Sequence, residues 1–179
     1  MNNDDDNKEK NISPFYHHTD NFSSAYFGKI PEHVNPSASE SGENALMASV
    51  ISLLAGPQKN EHRPELLALL RSNKADGLLL KMLGRKDYLK YRKELLAACW
   101  ESGLDFSKHL SFFAGMTLNA DYESCIEITT IITECMQGPF EKETTEAAIS
   151  EMKRAGANDS VKMQLLETAI TFLNIRSVT

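Results

Sequence analysis

The stretch GLLLKMLGRKDY, residues 77–88, aligns without a gap on SFFAGMTLNADY, residues 111–122, at an offset of 34 residues. Bulky apolar positions coincide, as do Met82 with Met116 and the Asp-Tyr step that closes each stretch. A looser third copy follows, in which Met152 lies 36 residues after Met116. Self-similarity at thirty-odd residues, with two helices per unit, is typical of stacked helical repeats. The alternative is an irregular helical bundle with one chance match.

Apolar residues recur at the 3.6-residue period of an amphipathic helix from Glu43 onward. Glycines and prolines interrupt this pattern and mark helix ends. No strand pattern is present, so the sequence predicts at least 60% helix and essentially no sheet. The predicted helices lie near residues 44–55, 64–71, 75–84, 88–102, 106–118, 121–137, 141–155 and 160–175. Their short loops favour antiparallel neighbours, so the eight helices form four hairpins.

Residues 43–179 resemble the HEAT/armadillo-like superfamily of α-solenoids in this pattern of paired helices. The resemblance implies an all-α fold, a short right-handed α-solenoid of about four antiparallel hairpins. It rests on a loose pattern without invariant residues and therefore implies architecture only. Tetratricopeptide repeats share the 34-residue period, but their small-residue and terminal-proline signature is absent. A solenoid exposes an extended surface suited to a peptide or helix, so we expect a protein–protein interaction or scaffold module.

Residues 1–42 differ from the rest and form a predicted irregular N-terminal tail. They are rich in Asn, Asp, Ser, His and Pro, and Pro14, Pro31 and Pro36 are expected to break helices. Aromatic side chains nevertheless punctuate the segment, which is unusual for a solvated linker. Three interpretations stay open: a tail docked on its own helical domain, a recognition motif for a partner, or plain disorder.

Charge is unevenly distributed in a chain whose formal net charge is −6. Residues 71–93 carry a net charge of +6, whereas the residues that follow carry −7. The candidate partner-binding residues are the basic side chains around the turn of the second predicted hairpin: Lys81, Arg85, Lys86, Lys90, Arg92 and Lys93. Such a patch suits an acidic peptide or protein, or the chain's own Asp4, Asp5 and Asp6 as an autoinhibitor.

Two other interpretations of the basic residues 71–93 are considered. Nucleic-acid binding through the phosphate backbone is the alternative function, but the acidic total disfavours it. The cluster is otherwise a solvated face whose Lys and Arg stems cover apolar surface.

The sequence contains no arrangement typical of catalysis, so we expect no enzyme, no catalytic residue, no cofactor and no metal site. The five histidines lack Cys or His partners at ligand spacing, and His109 has no acidic residue four positions away. Cys99, Cys125 and Cys135 fit buried structural thiols. Asp87 and Asp121 each precede a predicted helix, where a carboxylate caps free amides.

Three further expectations concern burial and environment. Trp100 stands one turn after Leu96 in a predicted helix, so we expect it to be largely buried. The start, MNNDDDNKEK, has no basic region followed by an apolar run, and no stretch approaches the ~20 apolar residues of a membrane span. These features favour a cytoplasmic protein without a membrane segment. The oligomeric state and the partner's identity do not follow from the sequence.

Overall fold

Eight α-helices dominate the structure, a computed structural model that describes the backbone of residues 36–177 and the side chains from residue 42 onward. More than three quarters of this range is helical and none of it forms a strand, although Phe140 and Ser177 make one isolated bridge. The prediction of an all-α fold is therefore confirmed for the described residues. The helices are α1 (Pro36–Ala55), α2 (Arg63–Ser72), α3 (Asp76–Gly84), α4 (Arg92–Ser102), α5 (Leu110–Met116), α6 (Tyr122–Glu134), α7 (Lys142–Gly156) and α8 (Ser160–Arg176).

The first helix begins at Pro36, eight residues before its predicted start at residue 44. Proline was expected to act here as a helix breaker. At the first position of a helix, however, its missing N–H removes no intrahelical hydrogen bond and its fixed φ suits the helix. The other predictions for the tail, which concern its aromatic residues and Asp4, Asp5 and Asp6, lie outside the described residues.

The sixth helix ends at Glu134, three residues before its predicted end at residue 137. Backbone groups beyond that point bond to the loop before α5 instead of continuing the helix. Phe106 N donates to Cys135 O at 3.0 Å, and Gln137 N donates to Ser107 Oγ at 2.8 Å. These long-range bonds satisfy polar groups that another helical turn would otherwise have to pair.

The buried core joins apolar faces from all eight helices. Phe106 and Phe113 are among its largest fully buried side chains, and their rings meet edge to face with centroids 5.6 Å apart. The apolar positions expected at 3.6-residue spacing supply most of this core. Its buried members from α4 and α6 are Leu95, Leu96, Ala98, Cys99, Cys125, Ile128, Ile131 and Ile132.

The helices contact one another in an ordered series. Each even-numbered helix packs on the next one, so α2 contacts α4, α4 contacts α6, and α6 contacts α8. Among the odd-numbered helices, α1 contacts α3 and α5 contacts α7. Sequence neighbours also pack together, most extensively α7 with α8. This contact pattern is compatible with a helical repeat.

The turns that precede α4, α6 and α8 share an aspartate but differ in structure. Asp121 Oδ1 accepts a hydrogen bond from Ser124 N at 2.7 Å, and Asp159 Oδ1 accepts one from Lys162 N at 2.9 Å. The predicted cap at Asp121 is therefore confirmed. The cap predicted at Asp87 is wrong, because Asp87 lies inside a 3-10 turn, Lys86–Tyr91, and its carboxylate binds the Arg85 guanidinium.

Candidate interaction surface

The basic turn, residues 85–93, connects α3 to α4 and carries most of the candidate partner-binding residues. Helix α3 ends at Gly84, and the backbone of Arg85 is extended, with ψ of 135°. A 3-10 turn then follows up to the first residue of α4, Arg92. Side chains in a 3-10 turn repeat every three residues. In this turn, Lys86, Leu89 and Lys90 are exposed.

Half of the six predicted basic residues already face carboxylates of the same chain. The pairs are Lys81 with Glu43, at 2.7 Å between Nζ and Oε1, Arg85 with Asp87, at 2.9 Å between Nη2 and Oδ2, and Lys93 with Glu123. All three pairs are substantially exposed, so each contributes little to stability. Their carboxylates compete with any acidic ligand for the same cations.

The other three residues have different surroundings. Arg92 is half-buried; that burial lowers the pKa of its guanidinium, and the nearby Asp121 opposes the shift. The exposed Lys90 ammonium lies 4.8 Å from the centre of the Tyr91 ring, a cation–π contact. Lys86 is exposed and, like Lys90, forms no ion pair within residues 42–177. Among the side chains of residues 42–177, two lysines of the basic turn therefore have no carboxylate partner.

Trp100 is not the buried residue that its position in α4 suggested. Its side chain is 38% exposed, and its Nε1 donates a hydrogen bond to Glu127 Oε2 on α6. The buried positions beside it belong to Ala98 and Cys99. An indole tolerates a half-exposed site when its N–H finds an acceptor. The prediction of burial is therefore wrong. The apolar pattern of α4 does not show that a side chain on another helix accepts a hydrogen bond from the indole at the surface.

His109, for which no acidic partner was found nearby in sequence, pairs over a long range. Its Nε2 lies 3.3 Å from Asp76 Oδ2 at the start of α3, 33 residues away. The ring also lies near Phe106, with centroids 6.4 Å apart. A search limited to residues four positions away misses such a contact between different helices.

The three thiols are buried and form no disulfide, in agreement with the structural role predicted for them. Burial raises the pKa of Cys99 and Cys125, and it raises that of Cys135 to about 11. A thiol with a raised pKa carries little of the nucleophilic thiolate at neutral pH. Within the part of the chain that the structure describes, no three His, Cys, Asp or Glu side chains form a group that could hold a metal ion.

Lys162 is a buried polar residue that the sequence did not point out. Only 9% of it is exposed, and its Nζ donates a hydrogen bond to Ala120 O, just before α6, at 2.9 Å. At the C-terminal end of α8, Arg176 Nη1 donates a hydrogen bond to Gln137 O, just after α6, at 3.1 Å. These contacts join α8 to the backbone at both ends of α6. Lys162 lies on the same face of α8 as Leu166 and Leu173. This position in the apolar pattern could have predicted that Lys162 is buried.

No family model, no curated protein and no solved structure matches the chain. The likeness to HEAT/armadillo proteins therefore rests on the internal repeat and the all-helical packing alone. None of the helices between residues 36 and 177 is both long and apolar enough to cross a membrane.

Proposed function

We propose that residues 43–179 form a short α-solenoid of the HEAT/armadillo-like type that binds a partner protein and performs no catalysis. The serial contact of α2, α4, α6 and α8 supports this architecture, because stacked repeats bring equivalent helices together. The side chains most able to do chemistry have structural roles instead. Asp121 and Asp159 cap helices, and the thiols lie in the core.

The proposed ligand is an acidic peptide segment, and its proposed site is the basic turn. The observation that carries this proposal is the pair Lys86 and Lys90, exposed without an ion-pair partner within residues 42–177. Two tyrosine rings lie directly beneath cations of this turn: Tyr88 below Arg85, at 5.3 Å, and Tyr91 below Lys90. These rings hold the cations in place, so less conformational freedom is lost when a carboxylate binds.

No contact in the structure favours the alternative of a nucleic-acid-binding surface. Duplex binding usually depends on several cations that neutralise phosphates together. Three of the six candidate cations already face carboxylates of the same chain, so fewer of them can neutralise phosphates together. Nucleic-acid binding is therefore an alternative outcome of the binding test.

The test compares two double charge reversals in the full chain. Lys86→Glu with Lys90→Glu changes the basic turn, while Lys142→Glu with Lys153→Glu makes the same change in charge at exposed positions of α7. Binding of a fluorescent poly-glutamate peptide is measured by anisotropy. Since two exposed pairs contribute up to about 1 kcal/mol each, the first variant should weaken binding by up to about 30-fold and the control much less. Equal affinities for the two variants would refute the site.

A labelled random DNA duplex serves as the second probe in the same assay. We expect weaker binding to the duplex than to the peptide at about 0.15 M salt. Tight duplex binding with a steep loss of affinity as salt rises would instead support the nucleic-acid alternative, because phosphate contacts release counterions.

A further inference from the structure

Helix α8 carries a second apolar stripe in addition to the face that it buries. Val161, Leu165, Thr168, Phe172 and Ile175 follow one another at spacings of four, three, four and three residues. This alternation keeps side chains on one side of a helix and is the spacing that pairs helices in coiled coils. Val161 is 58% exposed and Ile175 is 75% exposed, which makes them the most exposed large apolar side chains of residues 42–177.

The stripe is separate from the core-facing side of α8. Leu166, Ala169, Ile170 and Leu173 are buried and make the contacts with α6 and α7. A helix that is apolar on two faces is typical of one buried on both. Here, Val161, Thr168 and Ile175 of the second face are exposed within residues 42–177, whereas Leu165 and Phe172 are partly buried.

Phe172 links the stripe to the rest of the fold and stiffens it. Its ring lies 6.4 Å from that of the buried Phe140, and the Arg176 guanidinium lies over it at 5.4 Å. The middle of the stripe is therefore held in a fixed position before any partner arrives, which lowers the entropy lost on binding.

The charge around the stripe indicates which occupant fits. Its neighbours on the exposed side of α8 are the uncharged Gln164 and Thr171 and, over Phe172, the cation Arg176, in a protein whose net charge is −6. A second copy packed antiparallel about Thr168 would place Ser160 opposite Arg176, so no like charges would meet there. The exposed side chains of Trp100 and Ile126 lie instead beside Glu123 and Glu127, where two copies would repel each other.

The order of side chains also suits a copy of itself. Thr168 stands at the centre, with Leu165 and Phe172 on either side and the β-branched Val161 and Ile175 seven residues away at the ends. In an antiparallel pair related by a two-fold axis, each residue meets its counterpart on the other side of the centre. The small central Thr168 lets the two helices approach closely.

We propose that the α8 stripe is a homodimer interface in which two copies pack antiparallel about Thr168. The surface is distinct from the basic turn, so dimerisation leaves the proposed peptide site open. A single helix per copy supplies fewer than the ~20–30 residues a side of a standard stable interface. The dimer is therefore weak and forms with rising protein concentration, in the micromolar range and above.

The first test measures the mass of the full chain by sedimentation from about 1 to 300 µM. We expect the average mass to rise toward twice that of the monomer. Val161→Ser with Ile175→Ser should keep the protein monomeric throughout, and the fold should persist because both side chains are exposed. Leu89→Ser removes a 46% exposed apolar side chain from the basic turn and should leave dimerisation unchanged.

A second test examines the register. Across the proposed axis, two copies of a Thr168→Cys variant face each other and should form an intermolecular disulfide when oxidised with copper phenanthroline, whereas Thr171→Cys should form far less. A monomeric wild type at 300 µM would overturn the proposal and leave the stripe to another occupant, such as residues 1–35 or a foreign helix. Equal cross-linking of the two variants, or a dimer that survives the double serine change, would overturn it as well.

Discussion

The turn into α4 and the turn into α6 contain the same Asp-Tyr step, 34 residues apart, but only the second caps its helix. Asp121 accepts a hydrogen bond from Ser124 N, and α6 starts directly after it. Asp87 binds Arg85 instead, and the chain passes through a 3-10 turn before α4 begins at Arg92. The two copies therefore diverge at one carboxylate.

The residues just before each aspartate explain the difference. Arg85 and Lys86 precede Asp87, whereas the neutral Asn119 and Ala120 occupy the equivalent positions before Asp121. A cation two residues away competes with the backbone amides for the carboxylate. Arg85 thus binds the Asp87 carboxylate in place of backbone amides, and it also belongs to the candidate binding turn.

The polar contacts between successive even-numbered helices also differ from one pair to the next. Between α4 and α6, the exposed side chains of Lys93 and Glu123 form an ion pair. Between α6 and α8, the buried Lys162 reaches the carbonyl of Ala120. Burial excludes water that would otherwise replace the bond, so we expect the second contact to stabilise the fold more strongly.

Replacing these two lysines by methionine tests that contrast and should give the largest effect. Lys162→Met removes a buried, charge-assisted hydrogen bond and leaves Ala120 O without its donor, so we expect about 1.5–3 kcal/mol of destabilisation. Lys93→Met removes only an exposed ion pair and should change stability by ~1 kcal/mol or less. Urea denaturation followed by circular dichroism measures both. Equal losses would mean that the α6–α8 contact is no stronger than its counterpart.

Gly156, the last residue of α7, packs closely against Met163 of α8. A Cβ atom built at Gly156 would lie 2.9 Å from Met163 Cα and 2.7 Å from Met163 Sδ. Gly156→Ala should therefore cost about 1–3 kcal/mol through overpacking. At Gly77, near the start of α3, a Cβ meets nothing within 4 Å.

Gly77→Ala is the matched control, and it should be neutral or stabilise the protein by up to ~1 kcal/mol through helix propensity. Thermal or urea unfolding measures the two variants side by side. If Gly156→Ala proves as harmless as Gly77→Ala, α7 and α8 can separate slightly and the tight turn is not a constraint.

The sequence predicted the elements of this fold better than the contacts among them. Apolar periodicity identifies all eight helices and most of the core, because a helix must bury one face. It fails where a polar partner comes from a distant helix, as Glu127 does for Trp100, Asp76 for His109 and Ala120 for Lys162. Likewise, the six candidate cations are evident from composition, yet the acids that neutralise half of them, including Glu43, are up to 38 residues away.

The smallest expected effect is the difference in stability between a substitution at Asp121 and one at Asp87. Asp121→Ala removes a helix cap and should cost about 0.5–2 kcal/mol at pH 7. Asp87→Ala breaks only an exposed ion pair and should leave the unfolding midpoint nearly unchanged. If both variants lose equal stability at pH 7, the difference between the two turns has no energetic basis.

The pH dependence of the Asp121→Ala effect tests the cap itself. Partial burial opposes ionisation of Asp121, but the hydrogen bonds from Ser124, together with Lys93 and Arg92, lower its pKa below the ordinary value. A carboxyl whose folded pKa is depressed stabilises the protein above its unfolded pKa, ~3.9, and loses that contribution as pH falls through the lower folded value. Denaturation of wild type and Asp121→Ala should therefore differ at pH 7 and converge as pH falls through the lowered pKa of the folded Asp121 carboxyl. A difference that persists unchanged at pH 3 would show that the side chain acts by packing, because a cap held by the ionised carboxylate must weaken when that group takes up a proton.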